Sequence, residues 1–296
     1  MESIMIVEAF STGVNLITDC VRRGYHPLVL YPLLPAGAEP VMFQARAAIK
    51  QKYSGVADFF DEVDSYEDTL ALVRSLHPIL ILVGSEYGVD LATRLSNDLG
   101  LPGNPYARIG NYIHKDEQQA ALVKYGIRSI CGRIVRSEED ALSYYHEKAF
   151  RSCVLKPVRG AGSVGVYMCE NEDDIRTAFR KITLETGFFG ISKDGVLMQE
   201  KITGTEYIVN TVSCKGVHRI SSIWKYHKIE VAGGHKLYDY AISVNHLETG
   251  SNRLIQYAFD VADALGYEYG AIHGEYMVDE HGMAYQRICK TVSRLR

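Results

Sequence analysis

The stretch Val154-Leu-Lys-Pro-Val-Arg-Gly-Ala-Gly-Ser-Val-Gly-Val-Tyr-Met168 places a glycine-rich turn between two apolar runs. Gly160, Gly162 and Gly165 spell GxGxxG, a spacing shared with dinucleotide-binding turns. Those turns open directly into a helix. Here the glycines lead into Val166-Tyr-Met-Cys169, which reads as another strand, so the loop caps a hairpin and the dinucleotide reading fails. A P-loop is absent too, since no GxxxxGK[ST] occurs. Bare backbone amides in a glycine-rich hairpin can still form an anion-binding concavity. Lys156 stands on the entering strand between Leu155 and Pro157, in a run that reads as buried. A cation held there needs an anionic partner, and phosphate beside the loop is one. A merely tight hairpin is the alternative.

Working outward, Lys115 opens a helical stretch about forty positions upstream. Downstream, the apolar strand Val196-Leu-Met198 runs into Gln199-Glu200-Lys201-Ile202, then a turn at Gly204 and Glu206 on the next strand. Such a segment can offer backbone groups to an adenine edge and a carboxylate to a ribose; an ordinary hairpin with surface charges fits equally well. His273 and Glu275 lie two apart on an expected strand and therefore share a face. An inward carboxylate there is either paired with the histidine or metal-bound. Gly233-Gly-His-Lys-Leu-Tyr-Asp-Tyr240 is a further segment of interest, whose tyrosines are explained equally as sheet surface or core.

The first hundred residues alternate apolar strands (Ile4–Glu8, Pro27–Pro32, Pro78–Gly84) with helices (Gly13–Arg23, Tyr66–Leu76). Continuous apolar strands separated by helices imply a parallel sheet covered on both faces. Beyond Lys115 the pattern changes to α+β, with β-rich stretches at 195–215 and 218–247, a helix from Arg253 to Leu265 and a hairpin starting at Tyr269. Two sheets facing each other are expected.

Bulk properties exclude several classes. The 296 residues are 47% hydrophobic and 23% charged, with a net charge of −4, which gives no basic footprint for nucleic acid or an anionic membrane. No stretch approaches the ~20 apolar residues of a membrane span, and the N-terminus lacks the basic region of a signal peptide. The six cysteines are scattered singly, without CxxC pairs, so neither zinc nor a disulfide framework is expected. A cytoplasmic location follows as the expectation.

Taken together, six segments resemble the ATP-grasp superfamily, and within it the ligases that join L-amino acids into dipeptides. They are Gly84-Ser-Glu-Tyr-Gly-Val-Asp-Leu-Ala92, Leu99-Gly-Leu-Pro-Gly-Asn104, Lys115-Asp116, Lys156 to Gly165, Gln199 to Glu206, and His273-Gly-Glu-Tyr-Met-Val-Asp279. The resemblance implies an α/β pre-ATP-grasp domain over 1–108, a small ATP-grasp subdomain over 109–188 and an incomplete large subdomain over 189–296. It also implies ATP and Mg2+ as cofactors. Lys115 and Lys156 would contact the phosphates, with Gly160, Gly162, Ser163 and Gly165 folding over them. Glu200, Lys201 and Ile202 would hold adenine, Glu206 the ribose and Glu275 the magnesium, with Lys156 and Glu275 the residues expected to act in catalysis. The implied chemistry is phosphorylation of a carboxylate by ATP, followed by attack of an amine on the acyl phosphate.

After Gly282 the resemblance stops. The family continues with a strand that carries a second metal carboxylate and, two residues later, an asparagine. Here those positions fall on Arg287 and Cys289, and a cation cannot substitute for a metal-binding carboxylate. One expectation is a truncated or frame-shifted product. The other is a shortened protein that binds nucleotide without turnover or borrows the missing part. An uncovered strand edge favours self-association, so a homo-oligomer joins ATP and small carboxylate and amine substrates as an expected partner. An ATP-dependent carboxylate–amine ligase is the first functional expectation, a noncatalytic nucleotide binder the second. A carboxylase or carbamoyl-phosphate-type subunit ranks below both, since neither a biotin-carrier segment nor duplicated halves are present.

Overall fold

The computed structural model describes residues 1–34, 40–158, 165–184, 195–231, 235–245 and 251–291. Four parallel strands, β1 (Ser3–Val7), β2 (His26–Tyr31), β3 (Asp58–Asp61) and β4 (Pro78–Val83), form the first sheet in the order β3-β2-β1-β4. Period-two alternation along β1 decides its two cores. Met5 and Val7 pack with Leu28, Leu30, Val73 and Leu95 on one face, while Ile4 and Ile6 meet Ile17, Cys20 and Val29 on the other. Helices α1 (Asn15–Arg22), α2 (Pro40–Tyr53) and α3 (Tyr66–Ser75) connect the strands, and α4 (Val89–Asp98) follows β4. At the start of α3, the Ser65 side chain accepts a hydrogen bond from the Asp68 amide, and Glu67 and Asp68 oppose the positive end of the helix dipole. The apolar run at 78–84 is not covered throughout: β4 is an edge strand, and Ile79 is 40% exposed.

Strand order reverses between β1 and β4, and it is at the carboxyl ends of such strands that α/β sheets place ligands. The chains approach closely there. A Cβ on Gly84 would lie 2.4 Å from the Glu8 carbonyl oxygen and 3.0 Å from the Ala9 nitrogen. Gly84→Ala is therefore expected to destabilise by about 1–3 kcal/mol, the usual cost of overpacking. Urea unfolding checks this, and an unchanged midpoint would show that the backbone yields freely. Glu8 is fully buried at φ 61° and ion-paired with Arg46; burial raises its pKa, and Arg46 pulls it back down.

The second half contains two antiparallel sheets. Strands β5 (Gly132–Val135), β6 (Cys153–Pro157), β7 (Tyr167–Cys169) and β8 (Val196–Glu200) form one, in the order β5-β8-β6-β7. Helices α7 (Glu138–Glu147) and α8 (Glu172–Leu184) pack on it through Leu142, Tyr144, Ile175, Ala178 and Ile182. Strands β9 (Thr205–Cys214), β10 (Val217–Val231), β11 (His235–Ser243), β12 (Gly270–Val278) and β13 (Ala284–Thr291) form the other, in the order β11-β10-β9-β12-β13. Its core takes in α9 (Ser251–Leu265) together with α5 (Ile109–Ile113) and α6 (Lys115–Lys124): Tyr112, Leu122, Val261 and Leu265 meet Val209, Ile223 and Tyr276.

Sheet membership cuts across positions 109 and 188. Helices α5 and α6 share the core of the larger sheet, whereas β8, beyond 188, lies inside the smaller one between β5 and β6. Hydrophobic burial groups these elements by face and not by position along the chain. The hairpin expected from Tyr269 is present: the residues after Gly282 pair with β12 as β13, which forms the edge of this sheet. Helix α6 grips that strand. Gln118 Nε2 donates to the Cys289 carbonyl (2.7 Å), the Cys289 amide donates to Gln118 Oε1 (3.0 Å), and Gln119 Nε2 donates to the Gln286 carbonyl (3.0 Å).

Candidate nucleotide site

The hairpin read from the sequence is present: β6 and β7 pair antiparallel, Cys153 opposite Cys169 and Leu155 opposite Tyr167. Of the loop residues, Gly160, Gly162 and Ser163 lie outside the described residues. Gly165 closes the turn at φ 70°, and a Cβ there would sit 3.0 Å from Pro157 Cγ, so both conformation and space call for glycine.

Lys156, on β6, is 8% exposed, and its side chain has no hydrogen-bond or ion-pair partner among the described residues. Burial, the charge of Lys115 and that of Arg287 lower its pKa to about 7, and Glu275 opposes the shift. Lys115, at the start of α6, donates through Nζ to the Val158 carbonyl at 3.4 Å. Its pKa falls to about 8, through burial and Lys290, against the pull of Glu86, Glu275 and Asp116. Two lysines from distant parts of the sequence thus meet at the base of the glycine hairpin, and each is destabilised as a cation. A polyanion would relieve both.

Glu275 stands on β12 opposite Ile208 of β9, and His273 opposite Asn210. The His273 ring places Nδ1 2.8 Å from Asn210 Oδ1 and Nε2 3.8 Å from Glu275 Oε1. The histidine and carboxylate share a face as their spacing required. Glu206 is 4% exposed and engaged on both oxygens. Oε2 accepts Lys228 Nζ (2.5 Å) and Arg287 Nη1 (2.9 Å), and Oε1 accepts the Tyr238 hydroxyl (3.0 Å). At the hinge, the Glu200 amide donates to the Cys131 carbonyl (2.9 Å) and the Lys201 amide to Ser152 (3.2 Å), while Lys201 Nζ pairs with Glu170 (3.2 Å). Burial raises the Glu200 pKa. A cavity of ≈ 310 Å³ flanks the hinge, lined by Lys148, Phe150, Arg151, Glu200 and Lys201 among others. None of Lys115, Lys156 or Glu275 lines it, so it is separate from the lysine cluster.

Sequence reading missed two members of this constellation, Lys228 and Lys290, and left Tyr238 open between sheet surface and core. Lys228 and Tyr238 lie on the long hairpin of β10 and β11, and their reach to Glu206 depends on sheet order. Lys290 Nζ meets Glu86 Oε2 at 3.1 Å across 204 residues, joining β13 to the first domain. No local pattern marks either lysine.

The donor set does not suit the magnesium that the family implies. Glu275 is one carboxylate, Arg287 holds the place expected for a second, and no group of three or more His, Cys, Asp and Glu gathers among the described residues. A hard divalent cation takes oxygen ligands, and a guanidinium beside it is repulsive.

The chain matches the model of the ATP-grasp domain over residues 149–288. It is similar to dapdiamide A synthase from Enterobacter agglomerans, at 28% identity over 283 residues, 95% of this chain and 65% of that protein. The chain thus spans just under two thirds of that relative's length. The fold is also that of an L-amino acid ligase from Bacillus licheniformis (TM-score 0.73, 18% identity, 100% of this chain and 68% of that one). A 2-oxoglutarate carboxylase biotin carboxylase domain from Hydrogenobacter thermophilus, solved with MgADP, shares it too (TM-score 0.71, 17% identity, 100% and 65%). No helix among the described residues is long and apolar enough to cross a membrane.

Proposed function

We propose that the chain binds ATP between its two antiparallel sheets and belongs to a carboxylate–amine ligase that joins amino acids through an acyl phosphate. The observation that carries this reading is Lys156, a buried cation beside Lys115 at the base of a glycine hairpin. Within it, the two lysines and the hairpin amides, Gly165 among them, offset charge on the transferring phosphoryl group. The Ile202 amide is the hinge donor for a purine, since those of Glu200 and Lys201 are used within the protein. Glu206 Oε1, which accepts from Tyr238, has a further lone pair for a ribose hydroxyl. A carboxylate oxygen of the first substrate attacks the γ-phosphorus and ADP leaves. The amine of the second then attacks the acyl carbon, phosphate departs with the bonding pair, and the nitrogen loses a proton. Were magnesium to bind, it would neutralise the phosphates, and Glu275 would be the carboxylate to hold it; no step here is routed through it.

A second reading, nucleotide binding without turnover, is favoured by Arg287 in place of a metal carboxylate. ADP release from ATP with magnesium and a mixture of the twenty amino acids, against a control without them, separates the two. Amino-acid-dependent release is the expected result. Its absence from a folded sample that still binds ATP would leave only the second reading.

A further inference from the structure

Strands β12 and β13 pair with Glu275 opposite Ile288 and Tyr276 opposite Gln286, which leaves Arg287 as the extra residue of a bulge. A bulge re-aims its side chain. Arg287 turns to Glu206, which lies opposite Met277 and so on the sheet face that carries Glu275. Its charge also reaches Lys156. Further along β13, Lys290 stands opposite His273 and pairs with Glu86, close enough to Lys115 for the two ammonium groups to repel. Among the described residues, Lys115, Lys156, Lys228, Arg287 and Lys290 therefore face Glu86, Asp116, Glu206 and Glu275, five cations to four carboxylates. Neutralising Glu206 does not account for Arg287, because Lys228 already sits 2.5 Å from the same oxygen.

We propose that this site takes the polyphosphate of a nucleotide free of divalent metal, with Arg287 and Lys290 joining Lys115 and Lys156 to supply the positive charge. The inference rests on the nucleotide site proposed above and specifies the ionic form of its ligand. A divalent ion at Glu275 would add two charges to a cluster already positive, whereas a guanidinium and ammonium groups hold phosphate oxygens by charge-assisted hydrogen bonds. Magnesium on the nucleotide would then compete with the protein for the same oxygens.

Isothermal titration of the full chain with ATP, in excess EDTA and in excess magnesium at matched ionic strength, tests this. The expected result is an affinity in EDTA equal to or tighter than that in magnesium. Binding tenfold or more tighter in magnesium, an effect of roughly one charge-assisted hydrogen bond, would overturn the proposal and leave the nucleotide site standing. Heat in neither condition would overturn both. Arg287→Gln, checked for folding by circular dichroism, is expected to lose roughly tenfold in EDTA and less in magnesium. An unchanged EDTA affinity in a folded variant would also overturn it. Should that variant not fold, Lys290→Gln gives the same comparison with the same two outcomes.

Discussion

Lys156→Met is expected to weaken ATP binding roughly 10- to 150-fold, the worth of a hydrogen bond to a charged group, while raising the thermal stability of the ligand-free protein. Both effects have one cause. Lys156 is buried, and its pKa drops from 10.5 to about 7 because burial and neighbouring cations disfavour its charge. Holding the ammonium in the folded state costs a few kcal/mol at low pH, by the linkage between pKa and stability. Methionine keeps much of the length and removes the charge, and each kcal/mol recovered raises the melting temperature by about 2–4 °C.

The sign of the pH dependence follows. Between about 7 and 10.5 the unfolded chain holds a proton that the folded one has lost. Wild-type stability therefore rises with pH across that window, with the penalty fully present below pH 7. The variant loses this slope. Phosphate favours the ammonium, so ATP affinity should fall as pH rises from about 7 through about 8, where Lys115 also titrates. Melting curves and titrations at three pH values check both slopes. A variant that binds ATP like the wild type would remove Lys156 from the site.

Glu206→Ala should cost about 3–5 kcal/mol of stability, the usual penalty for breaking a buried ion pair by removing one partner. At 2–4 °C per kcal/mol the melting temperature falls by roughly 6–20 °C. The loss is large because one carboxylate serves Lys228, Arg287 and the Tyr238 hydroxyl. Its removal leaves two half-buried cations facing each other beside Lys156. Adding Arg287→Met to Glu206→Ala should recover part of the loss, since it removes one of those cations. A fall of under about 1 kcal/mol, typical of solvent-exposed pairs, would show that water replaces the carboxylate readily.

Much of the architecture was legible in local pattern. The runs at 4–8 and 27–32 became β1 and β2, the helix read from Arg253 to Leu265 became α9, which starts at Ser251, and the hairpin around the glycine loop formed as read. These depend on period and punctuation, which neighbouring residues carry. The helix Pro40–Tyr53 and the short strand Asp58–Asp61 had no comparable signal. Polar and apolar residues mix along that helix, and the strand is a four-residue edge.

By itself the sequence determined the parallel first domain, the buried lysine at a glycine hairpin and the shared face of His273 and Glu275. Each follows from alternation, glycine placement or two-residue spacing, all of them short-range properties of the chain. Tertiary structure alone decided that β8 completes the smaller sheet and that α5 and α6 join the larger core. It alone brought Arg287, Lys228 and Tyr238 onto Glu206 and Lys290 onto Glu86. Those contacts join residues up to 204 positions apart, through sheet order and a single bulge. Side-chain charge is written in the sequence, but which charges must share one poorly solvated space is settled only when the sheets close on each other.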